Sequence, residues 1–183
     1  MSYDESHLFS IGTPLSFTDG TKMYNKIAEE YPRHKKGFFI LAPSGAGKTY
    51  FVKNQKEKHW IDGDLLWISA CAHPKGPWWL EDDAFIKEVY AKSDIITMEA
   101  RRLGFWIMGA SNLWLKPDAI VVPDWETHKA YIRMRESSNY DGGATSDNFD
   151  QVIAHRERIL LWEKRDVPKF TSIDQAVDFL VGT

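Results

Sequence analysis

Residues 38–49 read FFILAPSGAGKT, and of the whole chain they indicate the fold class most clearly. The first five, Phe38–Ala42, form an unbroken apolar run, which is typical of a central parallel strand covered on both faces. A glycine-bearing turn follows, and Lys48–Lys56 is predicted to be helical. The succession of strand, glycine turn and helix predicts a parallel α/β unit at this point of the chain.

Short apolar strands alternate with helical segments along the rest of the chain. Further strands are predicted at His59–Ile61, Phe105–Met108, Asp118–Val122 and Val167–Thr171. Helices are predicted at Asp19–Tyr31, Glu81–Leu103 (in one piece or two, with Gly104 as C-cap), Trp125–Met134, Asn148–Lys164 (opened by Asn148 with Gln151) and after a Ser172–Gln175 capping box. Five strands and their helices predict a doubly wound α/β fold around a five-stranded parallel sheet, and 183 residues correspond to one domain.

The segment 42–49 matches the phosphate-loop pattern G-x-x-x-x-G-K-[ST] except at its first position, where Ala42 replaces glycine. Its backbone N–H groups are expected to wrap a polyphosphate, helped by the positive end of the following helix. Lys48 is predicted to reach the β/γ-phosphates and Thr49 to bind Mg²⁺. The competing interpretation is a chance glycine-rich turn that binds nothing. The predicted site for ATP with Mg²⁺ consists of Ser44, Gly45, Ala46, Gly47, Lys48 and Thr49.

Two carboxylates, Asp62 and Asp64, follow the second predicted strand. Because the carboxyl ends of parallel strands share one edge of a sheet, they are expected near the phosphate loop. We expect Asp62 to bind Mg²⁺ through water and Asp64 to hold or deprotonate an acceptor hydroxyl. An ordinary Asp-Gly turn is the alternative.

The segment 117–124, PDAIVVPD, resembles the nucleoside monophosphate kinases, especially the thymidylate kinase group. In that group such a strand leads to a helix that ends in arginines at the base of a lid, although Pro123 here replaces a usual apolar residue. The resemblance implies that Arg133 and Arg135 stabilise charge on the transferring phosphoryl group. It also implies a lid at about residues 133–150 that excludes water on closing. Solvated helix-end cations and a plain surface loop are the competing interpretations.

The phosphoryl acceptor stays open at this stage. The Asp-Gly-Asp sequence also resembles gluconate kinases and adenylylsulfate kinases, which implies an alcohol acceptor. Aromatic residues and arginines lie in the segment that forms the acceptor region of such kinases. The aromatic residues would stack on a base and the arginines would hold an acceptor phosphate. The alternative for each residue is simple packing or a solvated position at the surface. These residues are Trp78, Trp79, Tyr90, Arg101 and Arg102.

Roles are also predicted from the sequence for three further groups of residues. Arg156 and Arg158, on the helix that follows the predicted lid, are expected to add positive charge at the phosphates. His128 is expected to be a surface or capping residue rather than a base. Cys71 and His73 are too few for a structural zinc site.

Composition narrows the class of protein. The 23 Lys and Arg against 26 Asp and Glu give a net charge of −3, which disfavours a protein that coats DNA by bulk electrostatics. The single cysteine excludes an internal disulfide. The start MSYDESHLFS has no signal-peptide pattern, and no apolar run is long enough to span a bilayer. We therefore expect no membrane partner and a cytoplasmic location, or the host-cell cytoplasm if the source is viral.

The sequence as a whole predicts a single P-loop kinase domain over residues 1–183. It would transfer the γ-phosphoryl group of ATP, with Mg²⁺, to a nucleotide-like acceptor. One alternative is a kinase acting on a hydroxymethylated pyrimidine in DNA, as some viral members of the broad P-loop group do. Another is a regulatory module that hydrolyses ATP slowly. The third strand ends in Gly109-Ala110-Ser111 without an aspartate, which argues against a motor or helicase. The oligomeric state is not predicted.

Overall fold

The computed structural model describes residues 30–69, 78–138 and 143–182. Nearly all of the predicted helix Asp19–Tyr31 lies outside these residues, as do Cys71, His73 and Tyr140–Gly142. The strands are β1 (Phe38–Leu41), β2 (Trp60–Asp62), β3 (Trp106–Gly109), β4 (Ala119–Val121) and β5 (Lys169–Phe170). The α-helices are α1 (Lys48–Asn54), α2 (Gly63–Ser69), α3 (Asp83–Arg102), α4 (Trp125–Ser137), α5 (Phe149–Leu160) and α6 (Ile173–Val181).

The five strands form one parallel sheet in the order β2-β3-β1-β4-β5. Trp60 pairs with Trp106 between β2 and β3, and Ile40 pairs with Ala119 between β1 and β4. Phe39–Leu41 and Ala119–Val121 are buried along their whole length, which explains why these strands read as unbroken apolar runs. The predicted α/β class and the five parallel strands are confirmed, and the arrangement is compatible with a doubly wound fold.

The chain divides into two compact units. Of the described residues, the first unit contains 30–39, 54–69 and 78–115, and the second contains 40–53, 116–138 and 143–182. The prediction of a single domain stays a prediction.

The first unit has its core between β2, β3 and α3. Buried members of that core include Ile61, Ile96 and Ile107. α3 is one continuous helix of 20 residues, and Asp82 caps it by accepting a hydrogen bond from the Phe85 N–H. After the helix, Gly104 has a φ of +97°, and a Cβ at this position would lie 2.3 Å from the His34 carbonyl oxygen. Glycine is therefore required where the sequence predicted the end of the helix.

Helix boundaries in the second unit differ from the prediction at α5. Asn148 does not open a capping pair with Gln151. Instead, Thr145 and Asn148 form the capping box, on a 3₁₀ turn at Ser146–Asn148 that precedes the helix. α5 ends at Leu160, and a second 3₁₀ segment continues from it. Apolar residues recur with the same pattern in the α-helix and in the 3₁₀ segment that follows it, so the pattern does not mark the boundary between the two.

The start of α6 agrees in part with the predicted capping box. The Ser172 hydroxyl accepts the Gln175 backbone N–H at 3.3 Å. The Gln175 side chain accepts the N–H of Thr171 rather than that of Ser172.

Candidate phosphate-binding site

The turn between β1 and α1 carries two left-handed glycines. Gly45 has a φ of +81° and Gly47 a φ of +97°, a region of backbone space in which residues with a Cβ are strained. A Cβ on Gly45 would also lie 2.7 Å from Ile132 Cγ1. Both conformation and space therefore require glycine at residue 45. At Gly47 no described atom lies within 4 Å of such a Cβ, so only the conformation requires it.

Lys48 is folded back over this turn. Its Nζ donates hydrogen bonds to the carbonyl oxygens of Ala42 at 2.8 Å and Pro43 at 2.7 Å. The ammonium group is thus held beside the backbone that the motif assigns to phosphate binding. Thr49 is exposed at the start of α1.

Ser44 joins the turn to the segment after residue 142. Its Oγ accepts hydrogen bonds from the Ala144 N–H at 3.0 Å and from the Arg135 guanidinium at 3.4 Å. Arg135 also donates to the Ala144 carbonyl at 2.8 Å. Gly143 has a φ of +73°, and a Cβ there would lie 2.4 Å from Ser44 Oγ. Gly143 and Ala144, within the predicted lid, therefore contact Ser44 of the candidate phosphate loop, and Arg135 is the predicted arginine that reaches the same residue.

His128 is the site residue that sequence reasoning missed. It is fully buried rather than at the surface, and its Nε2 lies 2.8 Å from the Ser44 carbonyl oxygen. Its Nδ1 lies 2.9 Å from Arg156, which also donates to the Pro123 carbonyl at 2.7 Å. The assignment of His128 to the surface or to a cap is therefore wrong. A signal was present in the four-residue spacing from His128 to the apolar Ile132, which places both on one helix face.

The environment of His128 favours its neutral form. Burial lowers the pKa of His128 to about 4, and the positive charges of Arg156, Lys48 and Arg135 act in the same direction. The hydrogen bond with the Ser44 carbonyl opposes them. The same three cations show that positive charge is concentrated around Ser44, although the chain as a whole carries −3.

Arg133 has different surroundings from Arg135. On a helix, side chains that are two positions apart in the sequence point to nearly opposite sides. The Arg133 guanidinium lies 5.6 Å from the centre of the Phe149 ring, which is cation–π distance. Its predicted contact with the transferring phosphoryl group stays a prediction.

Asp62 and Asp64 belong to the first unit. Asp62 is the last residue of β2, and its Oδ1 accepts the Asp64 N–H at 3.1 Å. α2 starts at Gly63, so the segment begins a helix capped by Asp62 instead of forming an Asp-Gly turn. The predicted roles of Asp62 in metal binding and Asp64 in acceptor binding stay predictions.

The candidate acceptor residues are also in the first unit. Trp78 meets Trp79 and Tyr90 edge-on, at centroid distances of 5.9 and 5.8 Å. Arg102 forms an ion pair with Glu99 on the exposed side of α3. The Arg101 guanidinium lies 6.0 Å from the ring centre of Phe39. These contacts show aromatic packing and cation pairing, while an acceptor role stays a prediction.

Within the described ranges, no three His, Cys, Asp or Glu residues are grouped so that they could hold a metal ion. In the same part of the chain, no helix has both the length and the apolar character needed to cross a membrane. No protein-family model matches the chain, and no curated protein matches it significantly. Function is therefore argued from the chemistry of the site.

Proposed function

We propose that the chain is a P-loop kinase with a lid, which binds ATP with Mg²⁺ at residues 42–49 and transfers the γ-phosphoryl group to a nucleotide-like acceptor. The observation that carries the proposal is the turn itself. Two left-handed glycines, Gly45 and Gly47, shape it, and the Lys48 ammonium group lies against it. This backbone and this cation are the parts that the motif requires for a polyphosphate.

The local charge supports a polyphosphate donor. Lys48, Arg135 and Arg156 all act on the buried His128 beside Ser44. Cations gathered at a loop attract phosphate oxygens and raise the local concentration of the anion. The carbonyl oxygens of Ala42 and Pro43 that Lys48 now contacts belong to the turn that would hold the phosphates. Rotation of the Lys48 side chain would therefore bring its ammonium group from these oxygens to the β- and γ-phosphate oxygens.

The residues present fit a magnesium ion of the kind that nucleotides bring with them. Mg²⁺ keeps several waters and takes one or two protein oxygens plus phosphate oxygens, so a cluster of three acidic or imidazole ligands is not needed. The exposed Thr49 at the start of α1 supplies one hydroxyl. When bound, the ion would neutralise charge on the phosphates.

The chain's own cations would support the transfer step. The acceptor oxygen bonds to the γ-phosphorus as the bond from that phosphorus to the β–γ bridging oxygen breaks, leaving ADP. An acceptor phosphate loses no proton in this step, whereas an acceptor hydroxyl would give its proton to a base, the role predicted for Asp64. Arg135, already held on Ser44, would face the charge that spreads over the γ-phosphoryl oxygens. The segment that begins at Gly143 would cover the phosphates and keep water from replacing the acceptor.

The test is transfer of labelled γ-phosphate from ATP-Mg²⁺ to a panel of acceptors. The panel contains ribo- and deoxynucleoside monophosphates, sugar and nucleoside alcohols, and plain and hydroxymethylpyrimidine DNA. We compare wild type with Lys48→Ala, and with Lys53→Ala as a control that removes an exposed lysine from the last turn of the same helix. Lys48→Ala should reduce transfer by at least about 10²-fold, the order found for removing one stabilising donor, while Lys53→Ala should not.

Each outcome discriminates between the candidate functions. Label on a monophosphate or an alcohol supports the nucleotide-like acceptor, and label on modified DNA alone supports the DNA kinase. Label released only as inorganic phosphate, with the same dependence on Lys48, favours the regulatory ATPase. Equal turnover of a folded Lys48→Ala protein and wild type contradicts the proposed role of the loop.

A further inference from the structure

We infer that His128 is a positioning residue that fixes the Ser44–Gly45 peptide of the phosphate loop, so that the Gly45 N–H is directed towards the bound anion. The inference rests on the proposed function, because it concerns how the same loop is prepared for phosphate. It assigns a role to a residue outside the phosphate-loop motif.

The imidazole is held from several sides. It is fully buried on α4 and meets the Trp125 ring edge-on, with centroids 5.8 Å apart. A Cβ added to Gly45 would lie 3.4 Å from its Nε2. Its two nitrogens are its only polar atoms, and each has a partner, Ser44 on one side and Arg156 on the other.

The partners determine which nitrogen carries the proton. A guanidinium can only donate hydrogen bonds, so the Nδ1 that faces Arg156 must be the accepting, unprotonated nitrogen. In a neutral ring the proton is then on Nε2, which donates to the Ser44 carbonyl. Arg156 is itself fixed, since it also donates to the Pro123 carbonyl. The network therefore runs in one direction, from Arg156 through His128 to Ser44.

This bond constrains the neighbouring N–H. In a planar trans peptide the carbonyl and the N–H point in opposite directions, so holding the Ser44 oxygen towards His128 directs the Gly45 N–H away from it. Glycine rotates easily between backbone conformations, which makes this peptide prone to flip unless something holds it. His128 supplies that restraint without touching the ligand.

Protonation would disrupt the same network. A second proton, on Nδ1, would face the Arg156 guanidinium and remove the acceptor that this arginine now uses. The groups that act on His128 are Arg156 from α5, Lys48 from the loop and Arg135 from its own helix, and Asp124 acts on Arg156. Burial and these cations lower the pKa of His128 to about 4, so the network is intact at neutral pH and opens only in acid.

The experiment measures binding of ATP-Mg²⁺ by calorimetry to wild type, His128→Phe, His128→Gln and Tyr131→Phe. Phenylalanine keeps the ring shape but cannot donate, whereas the glutamine amide nitrogen can replace Nε2. Tyr131→Phe is the control, since it alters a partly exposed ring on the same helix. Loss of one such hydrogen bond corresponds to about tenfold weaker binding. We expect that loss in His128→Phe and near-wild-type affinity in His128→Gln and Tyr131→Phe.

A nitrogen-15 NMR spectrum of the His128 ring supplies a readout that a purely structural role would not change. We expect the Nε2–H tautomer at pH 7, and a wild-type affinity that falls in acid, together with the titration of this ring, by more than the affinity of His128→Gln, whose amide does not titrate. If His128→Phe does not fold, the glutamine variant and this acid titration carry the test.

The outcomes separate the inference from the proposed function. If His128→Phe binds ATP-Mg²⁺ as tightly as wild type does, the inference is wrong and the proposed function still stands. An Nδ1–H tautomer also overturns the inference. If wild type, like Lys48→Ala, binds no ATP-Mg²⁺, both the inference and the proposed function are wrong.

Discussion

Replacing Asp94 should destabilise the chain strongly, because one buried carboxylate holds the whole loop after β3. Asp94 lies in the middle of α3 and is fully buried. Its Oδ2 accepts the backbone N–H groups of Leu113 and Trp114, each at 2.9 Å. Its Oδ1 accepts the Leu115 N–H at 3.3 Å and the Asn112 side-chain amide at 3.1 Å. Asp94→Ala removes every one of these acceptors at once.

The expected cost follows from the number and kind of these bonds. A hydrogen bond to a charged group contributes about 1.5–3 kcal/mol, but bonds in one network do not add fully. The Leu113 and Trp114 N–H groups are only partly buried and can turn to water, so their loss is cheaper. We expect Asp94→Ala to lower the free energy of unfolding by about 3–5 kcal/mol. Asp94→Asn keeps one accepting oxygen but sets an NH₂ group against the other pair of donors, and should cost about 2 kcal/mol.

The assay is urea unfolding followed by tryptophan fluorescence and far-ultraviolet circular dichroism. With a slope of about 2 kcal/mol per molar urea, Asp94→Ala should move the midpoint down by about 1.5–2.5 M. Glu88→Gln is the control, because it removes a carboxylate from the same helix. The Glu88 carboxylate is exposed, and its partner, the Lys92 ammonium group, lies 3.7 Å away. The effect of this substitution should stay within about 0.5 kcal/mol. A midpoint for Asp94→Ala no lower than that of the control would show that Asp94 does not stabilise the loop after β3.

Two further predictions concern the phosphate loop and its neighbours. The folded-state pKa of His128, about 4, lies below the ordinary value of 6.5, so the unfolded chain takes up this proton first as the pH falls. The resulting stability is present above pH 6.5 and is lost between pH 6.5 and 4. Wild type should lose about 2 kcal/mol more than His128→Gln between pH 7 and pH 5 in urea titrations, and parallel losses would contradict this. Gly143→Ala should push the backbone away from Ser44 Oγ and expose the Ala144 amide to hydrogen exchange. Adding Ser44→Ala to the same chain should relieve the clash between the new Cβ and Ser44 Oγ. Unchanged protection of Ala144 in the single variant would show that the contact is not rigid.

The strands and the conformation of the glycine turn at residues 42–49 could be predicted because their signals are local, while phosphate binding by that turn stays a prediction. A strand buried on both faces needs apolar residues at consecutive positions, and Phe38–Leu41 shows that pattern without interruption. The glycines of the loop are required by backbone conformation, which is a property of each residue by itself. Gly104 was predictable for the same reason.

The contacts that complete the site could not be predicted because they join distant parts of the chain. Ser44 meets His128 across 84 residues and Ala144 across 100. The spacing of His128 from Ile132 indicates a shared helix face but not the partner Ser44, and an aspartate in the middle of α3 carries no sign of burial unless its partner is known. The distinction between Arg133 and Arg135 likewise depends on which helix face packs against the loop, and the resemblance to the thymidylate kinase group implied the same role for both.

Ser44 shows why the motif underdetermines the site. The phosphate-loop pattern leaves this position free, yet its hydroxyl receives Arg135 and Ala144 while its carbonyl receives His128. The loop is therefore held on its side-chain face and on its backbone face before any ligand binds. A loop fixed in this way loses less conformational entropy on binding a phosphate than one that must be ordered by the ligand. Under the proposed function, we expect substitutions that release one face to weaken nucleotide binding even though the glycines, Lys48 and Thr49 are all unchanged. On that proposal the supporting residues, and not the motif alone, would determine how well the loop binds its anion.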